Sequence, residues 1–169
     1  KGILIYIWTN GHLKFKLLQM KFVRFDECDY PKLYDWMYPL WQDTNKGIVS
    51  KEHIDFMLKE NFEEKAIERL RNNGYMYYKL VENEKMVGVV VFFITNEETH
   101  LDKLYLLPEA RGKGYPALVF KNLLTYGKDV TLNVNRNNER AFKCYTKNGF
   151  KIDKIMDIKL SNGMINQDY

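Results

Sequence analysis

The stretch Leu104-Tyr105-Leu106-Leu107-Pro108-Glu109-Ala110-Arg111-Gly112-Lys113-Gly114-Tyr115 constrains the fold more than any other part of this 169-residue chain. A short apolar strand pattern runs into a basic loop with two glycines, and an apolar helical pattern from Tyr115 to Tyr126 follows without a spacer. Strand, glycine loop and helix in that order aim a row of backbone N–H groups at one point, and the helix dipole adds positive potential there. Glycine at 112 and 114 removes the side chains that would hold an anion away from the main chain. Arg111 and Lys113 add charge beside it. The expectation is a phosphate-type anion pocket at the start of that helix.

The rest of the chain alternates between helix and strand signals. Lys21 to Phe25 alternates as a strand does. Asp29 before Tyr30-Pro31 reads as a helix N-cap with proline in the first turn, and the helix carries Leu33, Trp36, Met37 and Leu40 on one face. Ser50 caps a second helix bearing Ile54, Met57 and Leu58. A third run, Phe62 to Arg71, stops near Gly74. Tyr75 to Glu82, Met86 to Thr95 and Thr99 to Leu107 read as three strands, the second almost wholly apolar. After the 115–126 helix come a short strand at Val130–Val134 and a helix from Asn138 to Asn148 that ends at Gly149. Phe150 to Leu160 reads as strand, Asn162-Gly163 as a hairpin turn, and another strand is expected near Asn166. This order indicates an α/β chain built on a mixed sheet with helices on both faces.

The N-terminus stands apart. Ile3 to Trp8 and Leu13 to Leu18 flank Thr9-Asn10-Gly11-His12, a hairpin pattern. Asn10, His12, Lys14 and Lys16 break the apolar run, and no small-residue cleavage site follows, which argues against a signal peptide. Met20 reads as a natural start, so residues 1–19 are expected to be a β-hairpin extension and residues 20–169 a single domain. The extra strands offer edges for pairing with a second copy, a homodimer, or for covering an edge of the main sheet.

Composition narrows the function. A net charge of +4 favours anionic partners, but the lysines and acids are interspersed, so no nucleic-acid partner is expected. No apolar run is long enough for a membrane span. Two cysteines, Cys28 and Cys144, and three histidines have no metal-ligand spacing, so no metal is expected. Reduced thiols in a cytoplasmic protein are the simplest reading of the cysteines.

The segment Arg111-Gly112-Lys113-Gly114-Tyr115-Pro116, followed downstream by Leu132-Asn133-Val134, Asn138, Ala141, Tyr145 and Gly149-Phe150, resembles the GNAT family of N-acetyltransferases. That family's pyrophosphate motif is Gln/Arg-x-x-Gly-x-Gly/Ala, here filled by Arg111, Gly114 and Pro116. The aromatic first helix and Leu101 to Leu106 are most similar to its PaiA-type branch, which acetylates spermidine and spermine. The resemblance spans Lys21 to Tyr169. It implies a twisted, largely antiparallel mixed sheet, acetyl-CoA as co-substrate, and direct transfer of acetyl to a primary amine. A small amine or polyamine acceptor is favoured; a protein or peptide acceptor, and a non-catalytic acyl-CoA-binding module, stay open. Pro116 departs from the motif and deprives the loop of one N–H.

On the same resemblance, Tyr145 is the general acid that protonates the departing thiolate. Its rival role is packing alone. Leu104, Tyr105 and Leu106 pair through their backbone with the pantetheine arm, and one N–H polarises the thioester, an effect worth ~3 kcal/mol. Such strands are often bulged, which splays them from their neighbour. Arg111, Gly112, Lys113, Gly114, Tyr115 and Pro116 hold the pyrophosphate. Asn138 and Ala141 complete the CoA contacts, with Asn138 equally suited to capping its helix. Asp102 is the candidate base that deprotonates the amine, directly or through water, and His100 is the alternative. Cys144, about 100° around the helix from Tyr145, is expected to point away as a buried structural thiol. Tyr34, Trp36, Tyr38, Trp41, Asp35 and Asp43 are weighed as an acceptor-cation site against a plainer role in core and surface.

Overall fold

The computed structural model describes residues 3–9, 12–18 and 20–169, the first two segments as backbone only. Strands β1 (Ile3–Thr9) and β2 (His12–Leu18) pair antiparallel in a sheet of their own and add no strand to the main one. The expected Asn10-Gly11 turn lies outside the described residues. The elements that follow are β3 (Met20–Arg24), α1 (Leu33–Asn45), α2 (Lys51–Phe62), α3 (Glu64–Asn72), β4 (Met76–Glu82), β5 (Lys85–Ile94) and β6 (Glu98–Leu106). After them come α4 (Tyr115–Leu124), β7 (Asp129–Leu132), α5 (Glu139–Lys147), β8 (Met156–Lys159) and β9 (Ile165–Asp168).

The five-stranded sheet has the order β3-β4-β5-β6-β7, with every pair antiparallel except β6 and β7. Its middle strand explains its sequence. Val87, Val89, Val90, Val91 and Phe92 are all buried, so β5 has no solvent face and needs no polar alternation. On one side, Leu33, Met37 and Leu40 of α1 and Ile54, Leu58 and Phe62 of α2 pack with Tyr77, Val89 and Val91. On the other, Tyr115, Val119, Phe120 and Leu123 of α4 pack with Leu80, Val90, Phe92 and Leu101.

Local signals account for several ends. The Ser50 hydroxyl accepts a hydrogen bond from the His53 amide at 3.2 Å. Gly149 adopts φ +92°, the left-handed stop that a side chain disfavours. Asp29 differs from expectation: it makes no side-chain bond to the helix start. Its carboxylate instead accepts from the Asp26 amide at 3.0 Å and pairs with Lys79 Nζ at 2.6 Å. Buried beside an ammonium, it serves the strand–loop junction rather than a cap.

The 150–160 segment also differs. Only Met156–Lys159 is strand, because β9 offers four pairing residues and the register from Met156↔Asp168 to Lys159↔Ile165 uses them all. Residues 150–155 carry a strand-like pattern without a ladder partner. Likewise β7 ends at Leu132 and not at Val134. Val134 instead exchanges backbone bonds with Tyr169 (N to O 3.2 Å and 2.9 Å), and the Arg136 amide donates to Gln167 at 2.8 Å. The chain leaves one partner strand and takes another at that point.

Candidate active site

The site begins with a fault in β6. Val91 pairs with Lys103 and Phe92 with Leu101, so Asp102 is an extra residue in the ladder. A bulge of this kind bends its strand. The parallel pairing of β6 with β7 runs only from Glu98↔Asp129 to Leu101↔Leu132. Past that line the two chains part. Residues 102–106 form one wall and Asn133, Val134 and Asn135 the other of a cleft of about 470 Å³. The wall of β6 presents backbone N–H and C=O groups that a β7 partner would have used.

One end of the cleft is the glycine loop. Gly112 and Gly114 take φ +74° and +83°, and Gly114 sits at the N-cap of α4. The Ala110 and Arg111 amides are spent on a tight turn, bonding Leu107 and Pro108 carbonyls at 2.9 and 3.2 Å. Among the described residues, the amides of Gly112, Lys113 and Gly114 find no acceptor. Arg111, Gly112 and Pro116 line the cleft.

The side chains of this loop also have partners within the protein. Arg111 Nη1 pairs with Asp43 of α1 at 2.7 Å, and its Nε donates to the Leu106 carbonyl at 3.3 Å. That contact holds the Asp43 carboxyl below its usual range. Arg111 therefore ties α1, β6 and the loop together. Lys113 turns to Glu82, 3.3 Å away. The Tyr115 ring is fully buried in the α4 core, which leaves only its backbone for the loop.

Helix α5 supplies the second wall. The Asn138 carboxamide oxygen accepts from the Ala141 amide at 3.1 Å, so the capping role is realised while Asn138 and Ala141 both line the cleft. Tyr145 lines it as well and packs on Phe120 and Phe150, with ring centroids 5.9 and 5.8 Å away. Burial pushes its phenol up, and the Cys144 thiol adds to the shift. The ring is thus protonated at neutral pH and able to donate. Cys144 does not point away: it lines the cleft too. Residues 141, 144 and 145 stand at i, i+3 and i+4, inside one helical stripe. Burial raises its thiol and favours the protonated form, against the opposing pull of Lys147.

Asp102 lines the cleft, with Lys103 Nζ hydrogen-bonded to one carboxylate oxygen. The bulge sets both side chains on the α1–α2 face, where Lys103 lies 5.8 Å from the Phe62 ring centroid. His100 is not among the lining residues. Its Nδ1 is 2.8 Å from the Thr131 hydroxyl and its ring stacks on Phe93. Burial lowers its affinity for a proton, against the pull of Asp102 and Glu98.

Of the aromatic residues on α1, only Trp41 reaches the cleft, its ring 5.8 Å from that of Tyr105. Tyr34, Trp36, Tyr38 and Asp35 lie elsewhere, and Asp43 is engaged by Arg111. Sequence reasoning missed several residues that do line it: Lys103, His53, Arg140, Asn166 and Asp168. Arg140 is exposed and makes no ion pair among the described residues. His53 and Asn166 meet at 2.8 Å across 113 positions of sequence, a contact that no local signal announces.

Comparison with known proteins identifies the family and the fold. Residues 23–150 match the acetyltransferase (GNAT) family, and the chain belongs to it. Spermidine N(1)-acetyltransferase of Thermoplasma acidophilum is 28% identical over 123 residues, 67% of this chain and 76% of that one. Peptidyl-lysine N-acetyltransferase YjaB of Salmonella typhimurium is 31% identical over 77 residues, 46% of this chain and 50% of that one. The chain thus spans about half the length of the YjaB relatives it matches. The crystal structure of the Thermoplasma acidophilum PaiA N-acetyltransferase in complex with coenzyme A shares the fold. Its TM-score is 0.66 at 20% identity, covering 89% of this chain and 98% of that one. No helix of the described residues is long and apolar enough to cross a membrane.

Proposed function

We propose that this chain is an acyltransferase that moves acetyl from acetyl-CoA to a primary alkyl amine by direct attack, in the cytoplasm. The observation that carries the reading is the parting of β6 and β7 beyond Leu101 and Leu132, next to the bulge at Asp102. It leaves a slot with unpaired backbone on one wall, the open amide of Gly112 with those of Lys113 and Gly114 next to it in the loop, and a protonated phenol on the other wall. Those features suit a diphosphate, an amide-bearing arm and a thioester, in that order. No metal is needed for this chemistry.

The roles follow from the chemistry. Bound acetyl-CoA supplies an activated acyl group. Backbone N–H groups of Leu104 to Leu106 align the arm and stabilise charge on the thioester oxygen. An alkyl ammonium, with a pKa near ~10, must lose a proton before it attacks. Asp102 is the nearer candidate for that step, since it lines the slot and His100 does not. Tyr145 donates its proton to the departing sulfur, and the raised phenol keeps that proton available. Polyamine and peptidyl-lysine acceptors both present a primary alkylammonium. The polyamine is placed first because the spermidine-acetylating relative is matched over more of its length.

The test is release of free CoA thiol from acetyl-CoA with a panel of polyamines, lysine peptides and aromatic amines. Turnover with an alkyl amine is expected. Binding of acetyl-CoA without turnover on any amine would favour the non-catalytic module, for which Pro116 in the phosphate loop is the supporting departure.

A further inference from the structure

Asp168 stands out among the residues not used so far. It lies on β9, only 8% exposed, and lines the same cleft as Asp102 and Tyr145. Every other acid described as buried or as lining this cleft has a cation: Asp29 has Lys79, and Asp102 has Lys103. The Asp168 carboxylate makes no hydrogen bond or ion pair with any described residue. The neighbouring cation, Arg136, directs Nη2 to Asp157, while its buried Nε finds no hydrogen-bond partner among the described residues. The other ring nearby, His53, bonds through Nε2 to the Asn166 carboxamide oxygen at 2.8 Å. Burial raises the Asp168 carboxyl, and Arg136 and His53 only partly oppose that. A shielded acid with no internal partner costs stability, and the cost is recovered when a cation arrives from outside.

Its place in the fold gives that cation an address. β9 borders the Asn133–Asn135 wall through the Asn135↔Asp168 bridge, so the carboxylate belongs to the wall facing β6. α2 reaches β9 through the His53–Asn166 contact, and Asn61 and Asn166 line the same cleft as Asp168. The Asp168 carboxylate and the neighbouring carboxamide side chains offer acceptor oxygens to a positively charged, strongly hydrogen-bonding group.

We propose that Asp168, held by β9 two residues from the His53–Asn166 contact, is the ammonium anchor of the acceptor subsite. The proposal rests on the acetyl-transfer reading and adds the residue that selects the acceptor. The shared chemistry is a primary alkylammonium. A polyamine presents a second ammonium to the anchor, and a lysine side chain presents the one that reacts.

The experiment is calorimetric titration of spermidine, and separately of Nα-acetyl-lysine methylamide, into protein saturated with CoA. No acetyl group is present, so only binding is read. At least one of the two should bind the wild type. Asp168→Asn keeps the shape and removes the charge, and should weaken that binding by about 10- to 100-fold, the size of a lost charge-assisted contact. Affinity for CoA should stay within about twofold, since Asp168 is on β9 and is no part of the phosphate loop. The ligand that binds tells polyamine from lysine. Equal binding by wild type and variant, or no binding of either amine by CoA-loaded wild type, overturns the proposal. Wild type that fails to bind CoA removes the acetyl-transfer reading first, before any amine is added, and the proposal with it. A second readout needs no variant: the Asp168 carboxyl carbon resonance of the wild type should move when the bound amine is added, and a stationary resonance overturns the anchor role.

Discussion

Gly88 ties the stability of the sheet to the cleft, and Gly88→Ala tests both at once. Gly88 lies in β5 opposite Leu106. A Cβ built there would sit 2.5 Å from the Tyr105 carbonyl oxygen, 2.9 Å from Leu106 Cδ2 and 3.3 Å from Leu80 Cδ1. Ordinary contact starts at 3.4 Å, and the nearest atom is backbone, which cannot rotate aside. β5 and β6 must therefore separate by about 1 Å at the residues that form the cleft wall, a small-to-large change of the kind that costs ~1–3 kcal/mol. Loosened ladder bonds add about 1 kcal/mol. The sum is about 2–4 kcal/mol out of a total stability of 5–15 kcal/mol, so the melting temperature should fall by roughly 5–15 °C. Because Tyr105 and Leu106 move with the strand, CoA affinity should drop by about tenfold or more. Gly149→Ala is the control: its Cβ meets nothing within 4 Å, and only its φ of +92° is strained. It should cost about 1–2 kcal/mol and leave CoA affinity alone. Urea unfolding and calorimetry measure both quantities. Gly88→Ala within about 0.5 kcal/mol of wild type would refute the close β5–β6 approach on which the cleft geometry depends.

Three further outcomes are expected. Tyr145→Phe should lower turnover by roughly 10²- to 10⁴-fold with CoA affinity unchanged, measured by thiol release; an unaltered turnover rate reduces Tyr145 to a packing residue. Pro116→Gly restores an N–H to the first turn of α4 and should tighten acetyl-CoA binding, measured by calorimetry, and no change or a loss would count against that donor. Burial lowers the His100 proton affinity below the ordinary 6.5, so the fold favours neutral imidazole. Its contribution to stability is full above that value and lost as pH falls through it, so His100→Gln should flatten the decline in stability between about pH 7 and 5. An unchanged pH profile of unfolding would argue that the ring is solvated.

Where a residue announces its own conformation, the sequence is a good guide. Ser50, Gly149 and the Asn162-Gly163 turn act within a few positions, and the structure uses each as expected. The glycine loop is legible for the same reason. The bulge at Asp102 is not, because Asp102 and Lys103 look like any exposed acid–base pair until β5 fixes the register on both sides. The contacts of Arg111 with Asp43 and the Leu106 carbonyl are not legible in the sequence, because they depend on α1 folding back over the loop. The strand expectation for residues 150–155 failed because an apolar pattern does not supply a partner. Asp168, His53 and Asn166 were invisible as a group, since they meet only after β9 returns to the cleft. Cys144 shows a further limit: adjacent helix positions can share a wide cleft.

The most direct test of the whole account is amide chemical-shift mapping by NMR during a CoA titration. Saturable shifts should appear at Gly112, Lys113, Gly114 and Tyr115, along Leu104 to Leu106, and at Ala141 and Tyr145 on the facing helix. Shifts confined to another surface, or none at millimolar CoA, would contradict the assignment of this cleft to the nucleotide.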